Sequence, residues 1–205
     1  YEKAAGHNSE SFHAAVDGKG PTFTLLEATV GGSTYLIGGY NPQSWNSSAG
    51  YHITSSDSAR TAFIYNLTTL RLQRQRLNSD PWSSSFGSYQ THNYPLHGPT
   101  FGGGSDSDVE YSLTQGAASQ RSYGAGGQGW GGVQAENILG FVTCGSGTLS
   151  FTVGALEVYT FEASPPPPPV HVKEQGSTLV LLLAGEAIVG VGERFSVRKA
   201  RTLQR

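Results

Sequence analysis

The sequence is poor in cysteine, methionine and charge. One cysteine, Cys144, stands among 205 residues, and methionine is absent. A single thiol excludes an internal disulfide. It lies in the apolar run Leu139-Gly-Phe-Val-Thr-Cys, so a buried structural thiol is expected. Neither Cys-x-x-Cys nor His-Glu-x-x-His occurs, and the six histidines have no zinc-ligand spacing. Charged residues make up 14% of the chain, against a usual share of about 25%. Residues 1–172 carry seven Lys/Arg against twelve Asp/Glu, a net −5, and residues 173–205 carry six against three, a net +3. The body therefore offers no basic surface for nucleic acid. Long apolar runs are missing too. Thr178–Gly192 is apolar except for Glu186. It falls short of the roughly 20 residues that a spanning helix needs, so only transient membrane contact through this segment is expected. The chain begins at Tyr1 rather than methionine. That reads as a processed form whose signal peptide has gone.

Glycine is abundant, at 28 residues, about twice the usual share of about 7%. Between the glycines lie short alternating runs. Thr22–Glu27 and Ser33–Ile37 read as strands joined by a Val30-Gly-Gly-Ser33 hairpin turn. Ala62–Leu67 is a third strand, with Phe63, Tyr65 and Leu67 on one face and Ala62, Ile64 and Asn66 on the other. Leu70–Leu77 fits a strand that pairs back onto it. Ser88–Tyr94, Val109–Leu113, Leu139–Cys144, Leu149–Val153 and Leu156–Phe161 follow. One short helix fits around Glu2–Ala5, and Gln115–Gly132 reads as a long loop. Many short strands with turn signals every 8–12 residues predict an all-β, antiparallel two-sheet sandwich with little helix. The expected core is Phe23, Leu25, Leu36, Phe63, Tyr65, Phe101, Phe141, Phe151, Val153, Leu156 and Val158.

The most unusual stretch is His97-Gly-Pro-Thr-Phe-Gly-Gly-Gly-Ser-Asp-Ser-Asp-Val-Glu110. Three consecutive glycines mark a backbone that must turn through positive φ or admit a close approach. On an extended strand, Asp106, Asp108 and Glu110 share one face. They form either a cation site or a solvated strand face at a tight corner. Carboxylate oxygens suit calcium, but alternate side chains on a straight strand lie about 6.6 Å apart. Asp106, Asp108 and Glu110 are therefore candidates for a weak calcium site only.

Other motifs carry less. Gly124-Ala-Gly-Gly-Gln-Gly129 matches G-x-G-x-x-G but lacks the strand before it and the helix after it. No G-x-S-x-G exists to build a nucleophile elbow. Asn46-Ser-Ser48 and Asn66-Leu-Thr68 fit the glycosylation acceptor pattern.

Several segments together resemble the TLDc domain family. They are Phe12-His-Ala-Ala-Val-Asp-Gly-Lys-Gly-Pro-Thr-Phe-Thr-Leu-Leu, Tyr35-Leu-Ile-Gly-Gly-Tyr, Trp45, Ala62-Phe-Ile-Tyr-Asn-Leu, Gly98-Pro-Thr-Phe-Gly-Gly-Gly-Ser-Asp and Ala155-Leu-Glu-Val-Tyr. They occur in the family's order over Tyr1–Phe161. The resemblance implies a two-sheet β-sandwich without agreed catalytic residues. It also implies, for eukaryotic members, a link to oxidative-stress protection and to the vacuolar proton ATPase. Little precedes Phe12, and Ser105-Asp106 stands where the family often has His-Asp. No catalytic residue carries over.

Domain organisation follows from composition. Residues 1–162 form the sandwich, 163–172 a linker with five consecutive prolines in stiff polyproline II, and 173–205 a separate tail. The tail is similar to a degenerate exosortase-type sorting signal, with Val172-Lys-Glu-Gln-Gly-Ser-Thr178, an apolar stretch and a terminal basic cluster. The expected protein is exported, non-enzymatic and without a cofactor. It would bind a protein or a surface polysaccharide at the cell surface or in the extracellular matrix. The alternatives are oxidative-stress protection through a protein partner and a carboxylate-dependent hydrolase.

Overall fold

Turn chemistry starts the main sheet. Gly31 and Gly32 both take positive φ, 56° and 83°, as a tight antiparallel hairpin demands. They join β1 (Thr22–Val30) to β2 (Ser33–Asn41), which pair along their whole length. In a computed structural model, residues 1–80, 85–124, 135–143 and 147–161 are described. A unit Tyr1–Ala163 is distinguished from a unit Ser164–Arg205. The expected linker and tail, and Cys144, lie outside the described residues.

Helix α1 (Ser9–Val16) precedes β1. After β2 come β3 (Gly50–Ile53), β4 (Phe63–Asn66), β5 (Arg71–Arg74), β6 (Tyr89–Asn93), β7 (Asp108–Val109), β8 (Gln115–Ala118), β9 (Ala135–Glu136), β10 (Val142–Thr143) and β11 (Leu149–Thr160). Seven strands form one antiparallel sheet in the order β5-β4-β2-β1-β11-β8-β7, and β3-β6 and β9-β10 form two small sheets. The fold is all-β with a little helix, as expected. β11 is one continuous strand, not two, because Gly154 sits at a register shift opposite Leu26/Ala28 and makes no turn. β8 lies inside the stretch expected as a long loop, because its small residues pair with both β7 and β11.

The helix sits later than expected. Ser9, Phe12, His13 and Val16 are buried, the i, i+3, i+4, i+7 stripe of an amphipathic helix. Asn8 caps it, accepting from the Ser11 amide at 3.1 Å, while the Ser11 hydroxyl receives the Asn8 amide.

The core lies on one face of the large sheet. Leu26, Ala28, Ile37, Ile64, Phe151, Val153, Leu156 and Val158 meet Phe12 and Val16 of α1, Trp45, Phe101, Leu113 and Tyr123. Trp45 is its hub, edge-on to Phe12 at 5.6 Å and to Phe101 at 5.5 Å. Its indole N–H donates to Thr22 Oγ1 at 2.9 Å.

The expected core needs correction. Phe101, Phe151, Val153, Leu156 and Val158 are buried. Phe23, Leu25, Leu36, Phe63 and Tyr65 are only half-buried, and Phe141 is exposed. Strand alternation separated the two faces of β4 correctly, but Ala62, Ile64 and Asn66 are the set that faces the core. The larger, aromatic set faces outward.

Candidate functional site

Three consecutive backbone amides converge on the Asp106 side chain. Asp106 Oδ1 accepts from Arg121 at 2.6 Å, Ser122 at 2.9 Å and Tyr123 at 3.1 Å, and Oδ2 accepts from Ser122 at 3.0 Å. The residue is fully buried. Burial pushes its pKa up, while the three amide bonds and the Arg76 charge pull the other way. The glycine triplet lets three different side chains approach the backbone closely. Gly102 has φ +87°, and a Cβ there would collide with the Asp106 carboxylate. Gly103 lies under the Tyr89 ring and Gly104 against the Arg121 side chain.

Asp108 points elsewhere. Its Oδ1 lies 2.8 Å from His97 Nδ1 and accepts the Thr100 hydroxyl at 2.6 Å, and its Oδ2 accepts from Ser105 at 3.3 Å. Burial raises its pKa, but the bonds from His97, Thr100 and Ser105 and the His97 charge outweigh that and hold it low. The same bond raises the His97 pKa, against partial burial and with help from the charges of Asp108 and Glu110. Glu110 is exposed. The three sequence-predicted carboxylates thus occupy three different settings. Among the described residues, no three His, Cys, Asp or Glu side chains converge in a way that would hold a metal.

The His97–Asp108 pair predicts a pH dependence. A raised histidine pKa stabilises the fold fully below the ordinary value of 6.5, and that contribution is lost as pH rises through the raised value. A lowered aspartate pKa stabilises above the ordinary value of 3.8, and is lost as pH falls through the lowered value. The stability margin of wild type over His97→Gln should therefore be largest between about pH 4 and 6.5 and shrink by pH 8.5. Urea unfolding at pH 5.5 and 8.5 measures it, and equal margins would refute the pairing.

Beside this pair runs a row of rings on β3 and β6. His92 is stacked on Tyr51 at 4.4 Å and on Tyr94 at 5.6 Å, and its ring centre is 5.7 Å from that of His97. Burial first, and then the neighbouring His97, lowers its pKa.

A second His–Asp pair lines a cleft of about 450 Å³ bounded by Glu10, His13, Ala14, Asp17, Ser47 and Pro95. His13 Nδ1 is 2.8 Å from Asp17 Oδ1, and Ser47 donates to Asp17 Oδ2 at 2.7 Å. His13 Nε2 faces the carbonyls of His97 at 3.1 Å and Tyr94 at 3.3 Å. This is not a nucleophile relay. The serine reaches the aspartate rather than the imidazole, whose other nitrogen is occupied by backbone.

The outward face of the large sheet is the third feature, and sequence reasoning assigned it to the core. Paired positions Arg74, Phe63, Tyr40, Phe23 and Tyr159 cross β5, β4, β2, β1 and β11 in one row. Phe23 lies 5.0 Å from Tyr40, Tyr40 5.3 Å from Phe63, and Phe161 5.5 Å from Phe23. In the next row the Tyr65 ring lies over side-chain-free Gly38, and its hydroxyl donates to the Thr24 carbonyl at 2.6 Å. Burial, then the Tyr159 charge, pushes the Tyr65 pKa up to about 12. Phe23, Leu25, Phe63, Tyr65, Leu67, Leu72 and Tyr159 line an apolar groove of about 380 Å³. Leu72 is 63% exposed and Phe161 56%.

The two glycosylation acceptors differ. Asn66 is buried, and its Nδ2 donates to the Ile138 carbonyl at 3.0 Å. Asn46 is half-buried and turns its Oδ1 to the Ser48 amide.

A family model described as TLDc domain matches residues 1–162. Comparison with curated proteins returns no match.

Proposed function

Since the chain belongs to the TLDc family, we propose that it is a non-enzymatic, exported binding domain. In this reading it acts at the cell surface or in the extracellular matrix and engages a protein partner through the outward sheet face. The observation that carries this reading is the apolar groove and its row of rings. A contiguous exposed apolar patch on a soluble domain marks an interaction surface, and aromatic rings are the usual anchors of such surfaces. The scarcity of charge and the resemblance of the tail to a sorting signal support export. The arrangement of Ser47, Asp17 and His13 gives no support to a hydrolase. Calcium is at most a weak ligand of the Asp106–Glu110 turn, since the Asp106 oxygens already accept four amide contacts.

Phe63→Lys/Leu72→Lys tests the face without entering the core. The double variant should keep the wild-type melting temperature within a few degrees. In quantitative affinity capture from the native cells, recovery of the principal partner should fall at least about tenfold, or about 1.4 kcal/mol. Undiminished recovery would remove this face from the function. Finding the chain confined to the cytosol in cell fractionation would overturn export.

A further inference from the structure

We propose that His92 and His97 form a binding site for a divalent transition-metal ion of the zinc class, with Asp108 as the positioning residue behind His97. The site is separate from the outward sheet face and does not depend on it. Nothing in the linear spacing suggests it. The two histidines are brought together by the end of β6 and the turn that follows.

The ring centres of His92 and His97 lie close together. Zinc lies about 2.0–2.1 Å from an imidazole nitrogen, so two rings sharing it tetrahedrally have centres about 5–5.5 Å apart. The observed separation, 5.7 Å with the ring planes 48° apart, is slightly wider, so the two rings must close by a few tenths of an ångström around a shared ion. His97 turns Nδ1 to Asp108 and leaves Nε2 without a hydrogen-bond partner among the described residues. A carboxylate on the far nitrogen of a histidine is the common outer-shell arrangement of metal sites, where it fixes ring orientation and raises basicity. Asp108 is itself held by Thr100 and Ser105. His92 is clamped between Tyr51 and Tyr94, stacked at interplanar angles of 22° and 12°. Two preset imidazoles favour zinc, nickel or copper over calcium or magnesium, which take oxygen ligands. Water completes the coordination sphere, so the site is open.

Isothermal titration of the full chain with zinc chloride at pH 7.5 tests the proposal, with calcium chloride as the control. One zinc ion should bind, and calcium should not compete for it. His92→Gln and His97→Gln should each weaken binding at least tenfold. Asp108→Asn should weaken it by about 10–100-fold, while His7→Gln leaves it unchanged. Nitrogen NMR of the wild type gives a readout independent of variant folding: zinc should shift the His97 Nε2 resonance and the ring nitrogens of His92. No zinc binding, or binding that leaves those resonances and both glutamine variants unaffected, overturns the proposal.

Discussion

Asp106→Asn is expected to destabilise the domain by about 3–5 kcal/mol. Its carboxylate accepts from three consecutive amides, those of Arg121, Ser122 and Tyr123, at 2.6–3.1 Å. An asparagine keeps one oxygen and puts an N–H₂ group where the other stood. If the amide group faces Ser122, donor meets donor. If it is flipped, the Arg121 and Tyr123 amides lose their acceptor. A buried donor left without a partner costs about 1–3 kcal/mol, and the substitution strands at least one. It also removes one of the two negative charges, the other being that of Asp80, that favour the buried Arg76 guanidinium, and weakening the compensation of a buried charge is destabilising. The side chain cannot shift aside, because Gly102 is already in contact with its carboxylate. Urea unfolding at pH 7 measures the change. A loss below about 1 kcal/mol would mean that the 121–123 segment is held by other contacts.

Phe101→Ala should cost a similar amount, about 3–5 kcal/mol. Phe101 is 2% exposed and packs edge-on to Trp45 at 5.5 Å and Tyr123 at 6.3 Å. Its far edge fits against Gly39, where an added Cβ would come within 2.5 Å of the ring. Ring and glycine are therefore complementary, and the two positions must couple. Gly39→Ala alone should overpack the site, at about 1–3 kcal/mol. Combined with Phe101→Leu it should cost less than the two single losses together, because the smaller side chain vacates the space that the new methyl needs. Strict additivity in chemical denaturation would show that the clash is relieved elsewhere.

Local chemistry was legible in the sequence, and non-local chemistry was not. The Gly31-Gly32 hairpin and the pairing of β4 with β5 follow from turn residues and period-two alternation. The helix was available as well: Asn8 before the stripe Ser9, Phe12, His13, Val16 is a capped amphipathic pattern, though Ser9 and His13 are polar and mask it. Which face of a strand points inward is a different matter. Ile64 and Ala62 are smaller than Phe63 and Tyr65, so hydrophobic bulk pointed to the wrong face. The carboxylates show the same limit. Period two singled out Asp106, Asp108 and Glu110 as a group. The groups that determine their settings are backbone amides 15–17 residues away and the imidazole of His97. Amides leave no signature in side-chain composition. The His92–His97 approach likewise depends on a turn whose path no local rule fixes.

The place of β11 in the sheet has a consequence for synthesis. The last described strand lies between β1 and β8, and the backbone of Tyr1 is hydrogen-bonded to that of Val158. On the ribosome, the meander β1-β2-β4-β5 can assemble as it emerges, because its partners are close in sequence. Its β1 edge then stays bare until the segment around residue 150 has left the exit tunnel. Such distant pairing folds slowly, and an unpaired strand edge invites wrong partners. Vectorial translation therefore leaves the nascent chain with an open seam that β11 closes, and premature termination anywhere before β11 would release a product with that seam permanently exposed.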